Sequence, residues 1–127
     1  KKWMKLGYIP VLTSIGVGKR GGIYNINADK AAAAIAAYLN AEKFVMMTDV
    51  KGVLNTAGEL VSHINTYKAG KMIKAGSISG GMIPKVKSCL HALRKGVKKA
   101  HIIDCRIPHA ILLELFTDHG IGTMVEK

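Results

Sequence analysis

Apolar positions along this chain follow two rhythms. Short unbroken runs of branched and aliphatic residues read as buried strands, and stretches with an apolar residue every third or fourth position read as helices. The first run, Tyr8 to Ile15, predicts a buried strand. A glycine-rich loop (Gly16, Gly18, Gly21, Gly22) and a short strand over Ile23–Asn25 follow it. Asn27 has the position of a helix N-cap, and Asp29 falls in the first turn, where a carboxylate suits the helix dipole. Residues 30–39 form the helix body. Alanines at 31–34, 36 and 37 give it a small-residue face able to pack close to a sheet or a ligand. Asn40 is its expected C-terminal stop.

The second half repeats the alternation. Lys43 to Thr48 reads as a buried strand ending at Asp49, and Val53-Leu54 and Leu60-Val61 flank Asn55–Gly58 as a hairpin. Asn65 caps a helix running to about Ala75, stopped by Gly76. Ser79-Gly80-Gly81 leads into a helix with Pro84 in its first turn, where a missing N–H costs nothing. Met82, Val86, Cys89, Leu90 and Leu93 form one apolar stripe along it, and Arg94, Lys95, Lys98 and Lys99 gather at its C-terminal end. Ala100 to Asp104 is a further strand, Pro108 to Phe116 a helix and Gly122 to Val125 a closing strand. Strands alternating with helices predict an α/β domain, a three-layer α/β/α sandwich on a mainly parallel sheet.

The length of 127 residues fits one domain. An apolar share of 49% against 21% charged excludes intrinsic disorder. No uncharged apolar run approaches the roughly 18 residues of a membrane span, so no membrane is expected as a partner. Cys89 and Cys105 match neither a disulfide framework nor a zinc spacing and read as reduced thiols of a cytosol-like compartment. The first residue is Lys1, with no Met and no signal-like segment, which reads as a start internal to a longer protein.

Charge changes the picture most. Nineteen Lys and Arg against eight Asp and Glu leave +11, a balance that attracts polyanions and phosphorylated ligands. A polyanion-binding basic domain is therefore one reading. The basic residues are scattered over several elements and aromatics are only 6%, whereas a nucleic-acid platform interleaves the two on one face. Nucleic acid is not the expected partner.

Candidate chemistry collects at four places. Gly16 to Gly21 has the spelling G-x-G-x-x-G, but a β-like Ile-Tyr-Asn follows where a dinucleotide fingerprint needs a helix, so it reads as a plain glycine loop. Asn25, Asn27 and Asp29 cluster where a strand meets a helix N-terminus, a place suited to anions and equally to ordinary capping. Thr48, Asp49, Val50, Lys51, Gly52 and Val53 emerge from a buried strand, where α/β sheets bind ligands. Ser77 to Lys85 is the sharpest signal: two glycines admit a close ligand, a helix N-terminus offers donors, and Lys85 sits where the dipole disfavours a cation unless it faces an anion. His63, His91, His101, His109 and His119 show no metal-ligand spacing, so no metal site is expected.

The ordered set YNINAD, TDVKGVL, SISGGMIPKV and HIIDCRIPHAILLELFTDHGIGTM resembles the N-acetylglutamate kinases, the arginine-biosynthesis branch of the amino-acid kinase family, over essentially the whole chain. The resemblance implies the amino-acid kinase fold, C-terminal half only. Residues 1–127 would form the single nucleotide-binding domain, without the substrate-binding half and its K-x-G-G lysine. It implies transfer of the ATP γ-phosphoryl, with Mg2+, to the side-chain carboxylate of N-acetyl-L-glutamate, giving ADP and an acyl phosphate. An isolated chain would be inactive.

By matching position, Lys85 would stabilise the transferring phosphoryl, Asp29 would organise the catalytic lysines and Asn25 would hold the amino-acid substrate. Thr48 to Leu54 and Ser77, Ile78, Ser79, Gly81 and Met82 would hold the nucleotide. His101, Glu114 and Gly120 fall where arginine, a feedback inhibitor, binds in one branch; a helix-surface Glu114 and a plain strand His101 are the simpler alternative. The resemblance also implies a homo-oligomer, a signalling partner of the PII type and a cytoplasmic site, or the plastid stroma in a plant or alga. A non-catalytic arginine-sensing module is the remaining alternative.

Overall fold

Two asparagines set the helical frame. Asn27 Oδ1 accepts the amide of Lys30 at 3.1 Å and opens α2 (Ala28–Leu39). Asn65 Oδ1 accepts the amide of Lys68 at 2.8 Å and opens α3 (Thr66–Lys74). Each satisfies a first-turn N–H that the helix itself cannot. Asn40, left-handed at φ 52°, closes α2 where the sequence placed its stop. The structure, a computed structural model, describes residues 1–118 and 120–127.

In chain order the elements are α1 (Lys2–Lys5), β1 (Ile15–Val17), β2 (Ile23–Asn25), α2, β3 (Lys43–Thr48), β4 (His63–Asn65), α3, α4 (Met82–Arg94), β5 (Lys99–Asp104), α5 (Ala110–Phe116) and β6 (Thr123–Glu126). The glycine loop turns an antiparallel hairpin between β1 and β2. The main sheet runs β3-β5-β6-β4, parallel in β3–β5 and β4–β6 and antiparallel in β5–β6. The expected mainly parallel sheet is present, with its one reversal at β6.

Alternation on the central strand β5 makes the layers. Ala100 and Ile102 are buried in a core shared with Phe44, Met46, Val86 and Leu93, under α2, α3 and α4. His101 points to the opposite face, where it meets Glu114 of α5. The α4 stripe is the inner face of its helix: Val86, Cys89 and Leu93 are buried and Met82 packs at the margin. Ala33 and Ala36 are the buried side of α2, so the small-residue face lets that helix pack closely.

The expected buried strand over Tyr8–Ile15 does not form. Only its last residue joins β1, and Ile9 and Val11 are 89% and 92% exposed. A strand needs a partner. Among the described residues no main-sheet strand pairs with this segment and Pro10 offers no N–H; Pro10 and Leu12 only border an open cavity against α2 and β3. Three bounds also move. β5 begins one residue earlier, at Lys99, α5 begins at Ala110 because His109 before it is left-handed (φ 58°), and the closing strand sits one residue later. The short strand β4 carries too few residues to show a period.

Candidate functional site

The chain enters β3 from α2 and β5 from α4 by short turns, so each helix runs antiparallel to the strand it precedes. Both helix N-termini therefore sit at the carboxyl ends of β3 and β5, where open α/β sheets bind their ligands. There Lys85 Nζ lies 3.3 Å from Asp29 Oδ2, joining the first turns of α4 and α2 across 56 residues of sequence. About a quarter of each side chain is exposed (23% and 24%). An ion pair this open contributes at most about 1 kcal/mol to stability, so its interest is chemical.

One turn further along α4, Cys89 is fully buried beneath the pair. Its thiol is pushed up to about 12, first by burial and then by the Asp29 charge, with Lys85 pulling the other way. Asn25 ends β2, exposed, just before α2; its side chain makes no hydrogen bond among the described residues.

The turn into α4 is bare. Gly81 caps the helix without a side-chain hydrogen bond. The amides of Met82 and Ile83 turn back to the carbonyls of Ser79 and Gly80 at 3.1 and 3.2 Å, which leaves those of Gly80 and Gly81 without an acceptor among the described residues. A Cβ added at either glycine would meet nothing within 4 Å. Open space in front of free amides, with Lys85 one turn away, is an arrangement that receives an anion. Ser77 borders this turn half-buried, Ser79 is exposed, and Ile78 packs into the core.

The β3 exit divides into two parts. Asp49, Val50 and Lys51 are exposed, with Thr48 Oγ1 donating to Asp49 Oδ1 at 3.3 Å. Gly52 and Val53 turn inward. Gly52 has φ 143°, and a Cβ there would come within 2.7 Å of Thr123 Oγ1 and 2.8 Å of Leu60 Cδ1. Leu54 bridges Leu60 in the expected hairpin.

Two residues at this end were not singled out from the sequence. Asp104 stands opposite Thr48 in the β3–β5 register and takes Arg106 in a fork, Nε at 2.9 Å and Nη2 at 2.7 Å. The guanidinium holds the Asp104 carboxyl down at about 2. Arg106 itself is 62% exposed. The only hint in the sequence was an acid and a base two residues apart at a strand end.

His101, Glu114 and Gly120 do converge, on the opposite face of the sheet. His101 Nδ1 is 2.7 Å from Glu114 Oε1, while Glu114 Oε2 accepts the amides of Ile121 at 2.7 Å and Gly122 at 3.2 Å. Gly120 has φ 59°, and a Cβ there would stand 2.9 Å from Glu114 Oε2. Glu114 is thus a buried acceptor, not a helix-surface charge. Of the remaining histidines, His119 lies outside the described residues.

This α/β domain thus brings two helix N-termini, a lysine–carboxylate pair and a bare glycine turn to one sheet edge, an arrangement whose chemistry suits an anion. The chain belongs to the amino acid kinase family, whose model matches residues 1–104. The acetylglutamate kinase of Syntrophus aciditrophicus is 59% identical over 92% of this chain and 40% of its own length. That of Pelobacter propionicus is 54% identical over 94% and 41%. Among solved structures, N-acetylglutamate synthase of Neisseria gonorrhoeae, complexed with coenzyme A and L-arginine, matches with TM-score 0.92 at 28% identity, covering 99% of this chain and 29% of that one. The chain spans about 40% of the length of the curated relatives it matches.

Proposed function

We propose that the chain is the nucleotide-binding part of an acetylglutamate kinase. The observation that carries this reading is the Lys85–Asp29 pair beside the bare Gly80–Gly81 turn, in a sequence more than half identical to kinases of that name. The reaction it serves joins a side-chain carboxylate oxygen of N-acetyl-L-glutamate to the γ-phosphorus of ATP and breaks the bond from that phosphorus to ADP. No protein nucleophile is required, because the substrate carboxylate attacks. What the protein supplies is position and positive charge.

Lys85 neutralises the charge on the transferring phosphoryl. Asp29 fixes the lysine ammonium in place, and Asn25 faces the amino-acid substrate. The open parts of the two turns, Asp49, Val50 and Lys51 on one side and Ser77, Ser79, Gly81 and Met82 on the other, cradle the nucleotide, with the amides of Gly80 and Gly81 toward its phosphates, while Thr48, Gly52, Val53 and Ile78 are buried and support the turns. Mg2+ belongs to the Mg–ATP substrate. Among the described residues no group of three His, Cys, Asp or Glu is placed to hold a metal of its own.

The chain alone is expected to bind nucleotide without turning over. Titration with Mg–ADP, with tripolyphosphate as control, tests the first part: saturable binding of ADP that tripolyphosphate does not reproduce supports the reading, and equal binding of both reduces it to a basic surface. Hydroxylamine trapping tests the second, since acyl phosphate formed by the chain alone would refute it.

A second reading, arginine as an effector at His101, Glu114 and Gly120, is favoured by their convergence. A guanidinium would have to replace the amides of Ile121 and Gly122 on Glu114, so arginine binding would open the 120–122 turn.

A further inference from the structure

On the outer surface a groove of about 720 Å³ runs between α2, α3 and α4, from the first turns of α2 and α4 toward Arg94 at the far end of α4. Its floor is apolar, made by Ile73, Ile83 and Leu90. Its rim is basic. Lys87, His91 and Arg94 project from α4 at spacings of four and three, which places them in one row along the helix. Lys30 faces them from α2. All of these rim side chains are exposed, no acidic residue lines the groove, and none of the four forms an ion pair among the described residues.

We propose that this groove docks an acidic amphipathic helix of another polypeptide. The match is one of shape, period and charge. From Ile83 to Arg94 the α4 wall spans about 16 Å, the length of a three-turn helix. A cationic row at helical pitch beside an apolar floor is complementary to a helix carrying Glu or Asp at the same pitch beside its apolar face.

Other occupants fit less well. A flat anionic membrane cannot reach a concave floor. A nucleic acid would want aromatic side chains, and none lines the groove. A second copy of this chain lacks the complement, because α2 and α5 carry one carboxylate each and α1, α3 and α4 carry none. The groove also begins one residue from each member of the site pair, at Lys30 beside Asp29 and Pro84 beside Lys85, so a docked helix would touch the segments that position them.

The test is fluorescence anisotropy of the chain with a labelled synthetic helix of three to four turns that sets a glutamate row beside a leucine face. Saturable binding is expected, weakened at least tenfold by the double substitution Lys87→Glu, Arg94→Glu. The double substitution Lys98→Glu, Lys99→Glu, equal in charge but outside the groove, should leave it unchanged. All four positions are exposed, so folding is not at stake. Equal binding of a scrambled acidic peptide, equal loss in both variants, phosphatidylserine vesicles captured through Lys87 and Arg94, or no saturable binding would each overturn the proposal.

Discussion

Thr123 and Val53 lie 70 residues apart, yet the Thr123 hydroxyl accepts the Val53 amide at 2.9 Å. The same hydroxyl donates to the carbonyl of Val61 at 2.8 Å, so one side chain at the start of β6 pins both arms of the hairpin that follows β3. Thr123→Val keeps the volume and removes both bonds, leaving a buried amide unmet. A loss of about 1–3 kcal/mol is expected in urea unfolding. A variant as stable as the parent would show that the hydroxyl is not the pin.

Acid should act on Asp104. Its carboxyl titrates at about 2 in the folded chain against 3.8 as a free group, mainly through the Arg106 side chain. A depressed pKa contributes stability that is fully present above the free value and is lost as pH falls through the folded one. Asp104→Asn should therefore lower the urea midpoint at pH 6, and the gap to the parent should close between pH 3.8 and about 2. A gap that stays constant across that window would contradict the ion pair.

The two thiols should separate cleanly. Cys105 is exposed and Cys89 is buried, with its thiol pushed up to about 12. Ellman's reagent should titrate one thiol in the native chain and two in denaturant. Since Cys89 is raised from 9.0, its contribution to stability is intact below that pH and declines as pH climbs toward 12. Rapid native labelling of Cys89 would mean that the ground beneath Lys85 and Asp29 is open.

Gly120→Ala meets two obstacles at once, a backbone at φ 59° and the Glu114 Oε2 atom 2.9 Å from the new carbon. A cost of about 1–3 kcal/mol follows, read from thermal or urea unfolding. Glu114→Gln, which keeps an acceptor for the amides of Ile121 and Gly122, should cost less than Glu114→Ala.

The proposed function predicts that, in an acetylglutamate kinase carrying this sequence, Lys85→Ala lowers turnover by about 100-fold or more while leaving the unfolding curve near that of the parent, since the pair it breaks is partly solvated. Unchanged turnover would remove Lys85 from the chemistry.

Much of this was legible in the residues because the signals were local. The caps at Asn27 and Asn65 and the stripe on α4 were each set within one turn of helix, and the run Lys43–Thr48 matches β3 end for end. The meeting of Asp29 with Lys85 was not local. It came from the family pattern and from the rule that helix N-termini gather at strand ends.

What the sequence missed depends on what lies opposite. An apolar run such as Tyr8–Leu12 looks the same whether a layer covers it or not, and here Tyr8, Ile9, Val11 and Leu12 stay exposed. The Asp104–Arg106 fork and the Thr123 bridge are pairings that no period announces. Glu114, open to reading as surface or site, is decided only by the turn at 120–122 that closes over it.

The reversal at β6 has a practical corollary. β5 finishes at the edge that carries Asp29, Lys85 and Asp104, and β6 runs against it, so the backbone leaves β6 at the far end of the sheet. A biotin tag or surface tether attached after Lys127 would hold the molecule by its back and present the edge that carries Asp29, Lys85 and Asp104 to solution. Sensor-chip immobilisation through that end is accordingly the format in which the proposed nucleotide and peptide binding can be tested side by side on one preparation.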